Sequence, residues 1–519
     1  MMAARTGHFG SKTAVAILLA GSLFGLAGCS SSSSSSSSVM PPGNPEGSNL
    51  TQVSSDPYTM PPGQHATEVE PHMLANGNTL VAAFQTGRIG PANGGAGATD
   101  IGWATSTNGG TTWTHGFLPG LTTGEGTGPY EAASDPAVAY DAKHGVWMIA
   151  SLPISSTKTP AVVVSRSTDA LTWQNPGSVD LTSASSDKNW IVCDSWASSP
   201  DYGNCYIEWD EPASDEIFMS TSSDGGLTWS APAPTANLAD GLGGQPLVQP
   251  NGTVVVPIEA FVSAGPSISA FSSSNGGMSW TAPVTISNIQ VHNDAGGIRS
   301  GPLPSAAVDG AGTVWVVWED CRFRANCSAN DLVYSTSADG VTWGAVTRIP
   351  IDATSSTVDH LIPGIGIDPA TSGTGAHVAL HYYYYSQSAC TLSTCQLLVG
   401  YISSANGGST WNAPVALSGP MQLSWLPNSQ NGLMVGDYIA TVFTSGVPHG
   451  VFAVAQAVSG STYSEAIYTG QGLTVTAAGQ QLSSAGDKPL HKLSDPIEQE
   501  RPEKGVIPPS RRGAKRGAK

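Results

Sequence analysis

Most of the residues that could do chemistry in this chain are carboxylates. Glu68, Glu70, Asp135, Asp187, Asp210, Glu211, Glu259, Glu319, Asp320, Asp359 and Asp437 fall where the chain enters or leaves successive apolar runs, with Lys188 and His360 beside two of them. Paired carboxylates can cleave a glycosidic bond as acid and base or nucleophile, and carboxylates accept hydrogen bonds from sugar hydroxyls. Tyr382, Tyr383, Tyr384 and Tyr385 are consecutive, so strand alternation puts two rings on each face. Tyr383 and Tyr438 are the tyrosines that could act as nucleophiles. Bases are scarce: residues 13–485 hold nine Lys+Arg against 33 Asp+Glu, a net charge of −24. Such a body repels phosphate backbones, which argues against a nucleic-acid partner. The same acids could instead cap strands, pair with arginines or hold a structural Ca²⁺. No Gly-x-Ser-x-Gly, phosphate loop or His-Glu-x-x-His is present, and no cofactor is required by any motif.

Six of the seven cysteines form close pairs, Cys193/Cys205, Cys321/Cys327 and Cys390/Cys395. No Cys-x-x-Cys occurs and histidines do not cluster beside them, so local disulfides in an exported protein are expected, and no metal site. The N-terminus agrees. Arg5 and Lys12 precede an apolar run over 14–27, too short to span a bilayer but suited to an export signal, ending Leu26-Ala27-Gly28-Cys29. That ending looks like a bacterial lipobox, so residues 1–29 are read as a lipoprotein signal with Cys29 lipidated. The serines of 30–38 and the Pro/Gly-rich stretch to 48 read as a tether to the cell envelope. At the other end, 485–519 is polar, Pro-rich and basic, and is expected to be a disordered tail.

The elements that must position the acids announce themselves through a repeat. Ser106-Thr-Asn108-Gly-Gly110-Thr-Thr-Trp113 returns at 222–229, 273–280 and 404–411, and one residue shorter at 167–173 and 337–343. Ser and Asp/Asn can bond backbone N–H groups of a turn, Gly accepts positive φ, and the Trp is free to pack on a neighbouring unit. Upstream lies a second repeat, Pro with Asp or Asn five residues later: Pro71/Asn76, Pro136/Asp141, Pro246/Asn251, Pro304/Asp309 and Pro363/Asp368, with Asn189/Asp194 lacking the Pro. Each is followed by a β-rich run and a third strand entering the turn. Only 11% of residues are charged, which also disfavours surface helices. Four strands per unit at this spacing predict an all-β fold, a single β-propeller over 49–472 with the turn in six blades. Strand-like segments at 435–443, 450–457 and 465–468 lack a fourth partner, which 50–54 could supply. Seven blades are therefore favoured, with six and an irregular cap as the alternative.

The Ser-x-Asp-x-Gly-x-Thr-Trp turns resemble the Asp-box (BNR) repeats of sialidases and related propellers, and the chain is similar to secreted bacterial lipoproteins labelled exo-α-sialidase. The resemblance implies that the boxes are structural and lie opposite the active site. It also implies three arginines holding a substrate carboxylate, a tyrosine nucleophile with a glutamate, and an aspartate acid/base. The chain departs from that pattern at once: it reads Val69-Glu70-Pro71 where the family begins with Arg-Ile-Pro. Of its six body arginines, Arg166 and Arg348 flank box-side strands, which leaves Arg88, Arg299 and Arg322 as a candidate triad, with Arg324 beside the last. Asp320, Glu259 and Tyr383 complete the candidate catalytic set. Glu70, Asp135, Asp187, Asp210, Asp359, His360 and Asp437 are the candidate funnel lining. The expected function is glycan binding or hydrolysis with a glycoconjugate partner, exo-α-sialidase in its specific form. The alternative is a non-catalytic propeller that binds a protein or polysaccharide. Sialidase rings resemble six-bladed ones, so seven blades would set this chain apart.

Overall fold

The computed structural model describes residues 50–475 apart from 125, 156–161, 180–185 and 264, together with the strand at 482–483. The leader with Cys29, the tether and the basic tail lie outside the described residues. Among the described residues there is no α-helix, and no helix long and apolar enough to cross a membrane. The strands form seven antiparallel blades.

From the inside outward, the first blade is Glu68–Asn76, Thr79–Arg88, Ala98–Ser106 and Thr114–Phe117. The second is Ala132–Asp141, Val146–Ile154, Val163–Ser167 and Gly177–Ser178. The third is Asp187–Cys193, Cys205–Glu211, Glu216–Ser222 and Ala233–Pro234. In the fourth, a broken inner strand (Gly241–Leu242, Leu247–Val248) precedes Val254–Val262, Gly265–Ser273 and Val284–Asn288. The fifth is Ser305–Val308, Val314–Asp320, Asp331–Ser337 and Thr347–Arg348. The sixth is Asp359–Ile367, Val378–Tyr385, Gln396–Ser404 and Val415–Gln422. Each inner strand packs beside the next, and that of the seventh blade, Ala440–Thr444, returns to the first, closing the ring.

The seventh blade is completed by both ends of the ring. Its strands Val447–Ala455 and Glu465–Gly470 take Leu50–Gln52 as the fourth, with Leu50 opposite Gly470 and Gln52 opposite Tyr468. Segment 435–438, expected as strand, is instead a loop crossing the centre of the ring. Gly436 takes φ +141° there, and a Cβ on it would lie 2.6 Å from Cα of Glu70, so the close approach excludes a side chain.

Second strands such as Val314–Asp320 are buried on both faces because a neighbouring blade covers each side. That is why they read as unbroken apolar runs instead of alternating ones. The repeated turns behave as their residue types require. In the first, Ser106 Oγ accepts the N–H of Gly110 at 2.9 Å and Asn108 Oδ1 that of Thr112 at 2.9 Å. The box tryptophans lean on the preceding blade: Trp280 lies 6.2 Å from Tyr206, Trp411 6.4 Å from Tyr334 and Trp173 6.3 Å from Trp103. All three cysteine pairs are bonded, Cys193 to Cys205, Cys321 to Cys327 and Cys390 to Cys395.

Candidate functional site

A local distortion at the start of the inner strands aims side chains at the ring's centre. Glu70, Asp135, Lys188 and Ile362 all take positive φ (59°, 49°, 53° and 49°), each just before the repeat's Pro or its Asn replacement. At each the register with the second strand slips, so each is a β-bulge. Bulges re-aim a side chain that the pleat would otherwise send into the sheet. Here they gather Glu70, Asp135 and Lys188 around the 435–438 loop. Asp437 accepts Nε of Arg299 at 2.6 Å, with Nη2 of the same guanidinium on its other oxygen and Nζ of Lys188 beside it. The N–H of Asp437 in turn donates to Glu70 at 3.3 Å, and Gln85 donates to the far oxygen of Glu70.

A second feature of the cluster is a carboxylate pair. The backbone N–H of Lys188 lies 3.1 Å from Oδ2 of Asp135 and 3.0 Å from Oδ1 of Asp187, so the two carboxyls converge on one donor. Their acidities are driven apart. For Asp187 burial dominates and, despite Lys188, raises it to about 6. For Asp135 burial is outweighed by Lys188 and the hydrogen bond from Asp187, which hold it below the usual range. Burial would also raise Asp437, but Arg299 and Lys188 overcome it and keep the group ionised. Glu70 is pushed well up by burial, then by Asp135 and Asp437. The charge balance is therefore two carboxylates, Asp135 and Asp437, against two cations, Lys188 and Arg299, with Glu70 and Asp187 as proton carriers.

Lys188 and Asp437 of this cluster line a small cleft, where Asn189, Trp190, Gly244, Pro363 and Tyr438 join them in its wall. Tyr438 donates to the carbonyl of Pro136 at 3.0 Å, and the Trp190 ring meets it edge-on at 5.0 Å.

Of the other sequence candidates, Arg88 and Asp210 stay beside the cluster, Arg88 through Gln85, which also binds Glu70, and Asp210 opposite Asp187 across the strand pair, while the rest lie apart from it. Arg88 is buried and spends its guanidinium on the carbonyls of Gly97 and Gly95 (2.6 and 2.7 Å) and on Gln85 at 3.1 Å. Burial and then Arg299 press it down to about 10. Arg322 is held on Asp320 through Nε at 2.8 Å and Nη2 at 2.6 Å, and on the carbonyl of Asn288 at 2.6 Å. The three arginines thus have three separate anchors, and the one engaged at the cleft is Arg299. Tyr383 is fully buried between the sixth and seventh blades, donating to Ala453 O at 2.8 Å, because alternation turned its ring into the blade interface. Asp210, Glu259 and Glu319 occupy matching positions of three consecutive second strands, all buried and all raised by desolvation. Glu68 sits at the ring's seam, where Ser54 donates to it.

Asp359 accepts the N–H of Asn330 at 2.5 Å and lies 3.1 Å from Nδ1 of His292. His360 is buried against the carbonyl of Asn330 at 3.0 Å. His360, Asp331 and Asp352 come close enough together to hold an ion. However, the buried guanidinium groups of Arg324 and Arg348 already bridge both aspartates at 2.6–2.9 Å. Two guanidinium charges there oppose a Ca²⁺ ion in the same place. Arg348, expected on a box-side strand, is therefore a buried ion-pair member.

Sequence reasoning passed over Asn189, Trp190, His292 and Asp294. For Asn189 a signal existed: it is the one repeat position of its kind where Asn replaces Pro. His292 and Asp294 lie in the loop entering the fifth blade and carry no such mark.

Fold and site together define a seven-bladed propeller with a charged central cleft. No protein-family model matches the chain, and no curated protein matches it. Solved structures do. A protein of unknown function from Dyadobacter fermentans is 15% identical, covering 69% of this chain and 99% of its own, with a TM-score of 0.42. The intramolecular trans-sialidase of Ruminococcus gnavus is 13% identical over 76% of this chain and 91% of its own, TM-score 0.36. A polysaccharide lyase, the PL25 ulvan lyase, is 11% identical over 80% and 94%, TM-score 0.46. At these levels function has to be read from the chain's own residues.

Proposed function

We propose that this chain is an exported, lipid-anchored propeller that processes glycans in its central cleft, with the Asp135/Asp187 pair as its proton-handling unit. The observation that carries the reading is the pair itself: two carboxylates on one backbone N–H, their acidities separated, beside a cleft walled by Trp190 and Tyr438. Two carboxyls whose environments drive their pKa values apart are the usual mark of an acid and its partner. Asp187, raised to about 6, keeps a proton at mildly acid pH and can give it to a leaving glycosidic oxygen, while ionised Asp135 orients it. Because both lie on the N–H of Lys188, the two carboxyls are on the same side of any bound glycosidic bond and do not flank it. The nucleophile or water therefore acts from elsewhere; the Tyr438 hydroxyl donates to the Pro136 carbonyl, which cannot take its proton.

In the exo-α-sialidase version, Arg299 would exchange Asp437 for the substrate carboxylate. One guanidinium would then do the work that the family resemblance assigns to three, which makes this the more demanding form of the proposal. The test is hydrolysis of fluorogenic α-sialoside and neutral glycosides by the purified protein from about pH 4 to about pH 8, beside Asp187→Asn and Arg299→Ala. Turnover of any substrate that falls at least about hundredfold in Asp187→Asn supports the reading. Turnover of the α-sialoside that also needs Arg299 supports the sialidase form. Glycan binding without turnover of any substrate sinks the catalytic reading in favour of the non-catalytic propeller.

A further inference from the structure

Four consecutive blades expose an apolar side chain at the same repeated place. Two residues before the box tryptophan stand Leu171, Leu227, Met278 and Val341 in the second to fifth blades, against Thr111 and Ser409 in the first and sixth. They are 41%, 66%, 80% and 51% exposed, and Met278 and Leu227 are the most exposed large apolar side chains among the described residues. The turn itself does not need them, since the Thr111 and Ser409 turns close through the same Ser and Asn contacts. Three of the tips are also ready to lose water. Asp169, Asp224 and Asp339 accept the N–H of Leu171, Leu227 and Val341 at 2.8, 3.0 and 2.9 Å. The side chain can therefore be buried without stranding its own backbone donor.

These turns join third strands to fourth, at the end of the ring opposite the bulges of the cleft. The chain from Cys29 enters at that end too. Leu50 pairs with Gly470, and the next residue, Gln471, donates to the carbonyl of Gly110 in the first blade's box at 3.1 Å. The 20 residues between Cys29 and Leu50 can span at most about 70 Å. Two bases outside the buried ion pairs stand at the same end. Lys143 is exposed in the hairpin after the second blade's inner strand, and Arg166 donates through Nε to the carbonyl of Gly225, beside Leu227, at 2.7 Å.

We propose that the box face is a lipid-docking surface: Leu171, Leu227, Met278 and Val341 enter the interfacial region of a bilayer, Lys143 and Arg166 meet lipid phosphates, and the cleft faces away from the membrane. Shallow apolar insertion aided by bases is how a protein lies on a membrane without crossing it. This rests on the lipid-anchored reading above and gives the anchored ring an orientation. The tether enters at the seventh blade and the apolar tips lie on the second to fifth, so the two attachments hold opposite sides of one face. The box carboxylates oppose an anionic surface, so the matching lipid is zwitterionic.

The test places the membrane-purified protein in phosphatidylcholine vesicles that carry quencher groups on their acyl chains. A fluorophore is attached to one cysteine, introduced by Met278→Cys or, at the cleft end of the same blade, by Val262→Cys; the ring's own six cysteines are bonded. The expected result is quenching of the Met278→Cys label and none of the Val262→Cys label. Adding Leu171→Ser/Leu227→Ser/Val341→Ser should lower the docked-to-undocked ratio about tenfold or more, with the melting temperature unchanged because these side chains pack on nothing. Equal quenching at the two ends, no quenching at Met278→Cys, or quenching that survives the serine substitutions would overturn the docking face. So would a Met278→Cys label shielded from aqueous iodide but not quenched by lipid in a protein that sediments as a dimer, which would give the face to a second copy. The anchor is read separately, from the mass of the Cys29 peptide. If no lipid is found there, the anchored reading fails, and the same labels on protein added to preformed vesicles decide the docking face by the same criterion.

Discussion

Replacing Glu259 by glutamine should make the protein more stable at alkaline pH and leave it unchanged at acid pH. Glu259 stands in the second strand of the fourth blade, 4% exposed, with Oε1 unpartnered. Burial alone raises it from 4.5 to about 7. The sign follows from proton uptake. Below about pH 4.5 the carboxyl is protonated in both folded and unfolded chains and contributes no pH dependence. As pH rises towards 7 the unfolded chain loses the proton and the folded one keeps it, so the folded state loses ground. Above about pH 7 the loss levels off at about 3 kcal/mol, each tenfold change in acidity being worth about 1.36 kcal/mol. For a ring of roughly 420 residues, an unfolding entropy of about 2.1 cal/mol/K per residue turns that into about 3–4 °C. Thermal unfolding followed by circular dichroism at about pH 4.5 and about pH 8.5 is the assay. The parent should lose about 3–4 °C more than Glu259→Gln between the two. Asp210 contributes equally to both proteins and cancels, whereas Glu319, raised in part by the Glu259 charge, titrates lower in the variant and adds to the difference in the same direction. Parallel pH profiles for the two would refute the reasoning, since Glu259 would then be solvated or paired. A loss of turnover in the same variant would show that Glu259 reaches substrate.

Three further outcomes are expected. Asp437→Asn leaves Lys188 and Arg299 as adjacent buried cations, so it should cost about 3–5 kcal/mol, read by chemical denaturation. The double variant Cys193→Ser/Cys205→Ser opens a 12-residue loop. It should lose about 3 kcal/mol, a loss that reductant reproduces in the parent if that bridge is the accessible one. Trp411→Ala removes an almost wholly buried ring between the fifth and sixth blades and should cost about 3–5 kcal/mol; a smaller effect would mean that the blades meet without the box tryptophan.

The propeller was legible because each blade repeats the same local solution. The Ser-x-Asp/Asn turn is satisfied by its own side chains, the glycines by their own φ, and the doubly covered strands by unbroken apolar runs, so every signal lies within one unit. The closing strand was legible for a related reason: three strands at the end lacked a fourth, and one remained at the start. The site was less so, because its contacts join residues far apart in sequence, such as Arg299 with Asp437 and Glu70 with the 435–438 loop. Acids could be assigned to the funnel end from their place in the repeat, but not whether each reached the cleft, a blade interface or an arginine. Glu259 and Asp187 look alike in sequence, yet one is stranded between strands and the other converges with Asp135 on one donor beside the cleft. Tyr383 failed as a candidate by the choice of face, which a one-residue change in register reverses.

What tells the two outcomes apart is the bulge. At Glu70, Asp135 and Lys188 a single residue at positive φ turns the side chain from the blade interface to the axis, and the Pro or Asn that follows sets where the strand resumes. A regular strand at the same place would bury these charges without a partner, as happens to Glu259. The position before the repeat's Pro is therefore where the fold permits charge at its centre, and the variation along it reads Glu70, Asp135, Lys188 and Ile362. An acid, an acid, a base and an apolar residue at one repeated position make an asymmetric cleft from a near-symmetric ring. Asymmetry of that kind is what a directional ligand such as a glycan chain requires, and substitution at these positions, more than in the box turns, should change what the cleft accepts.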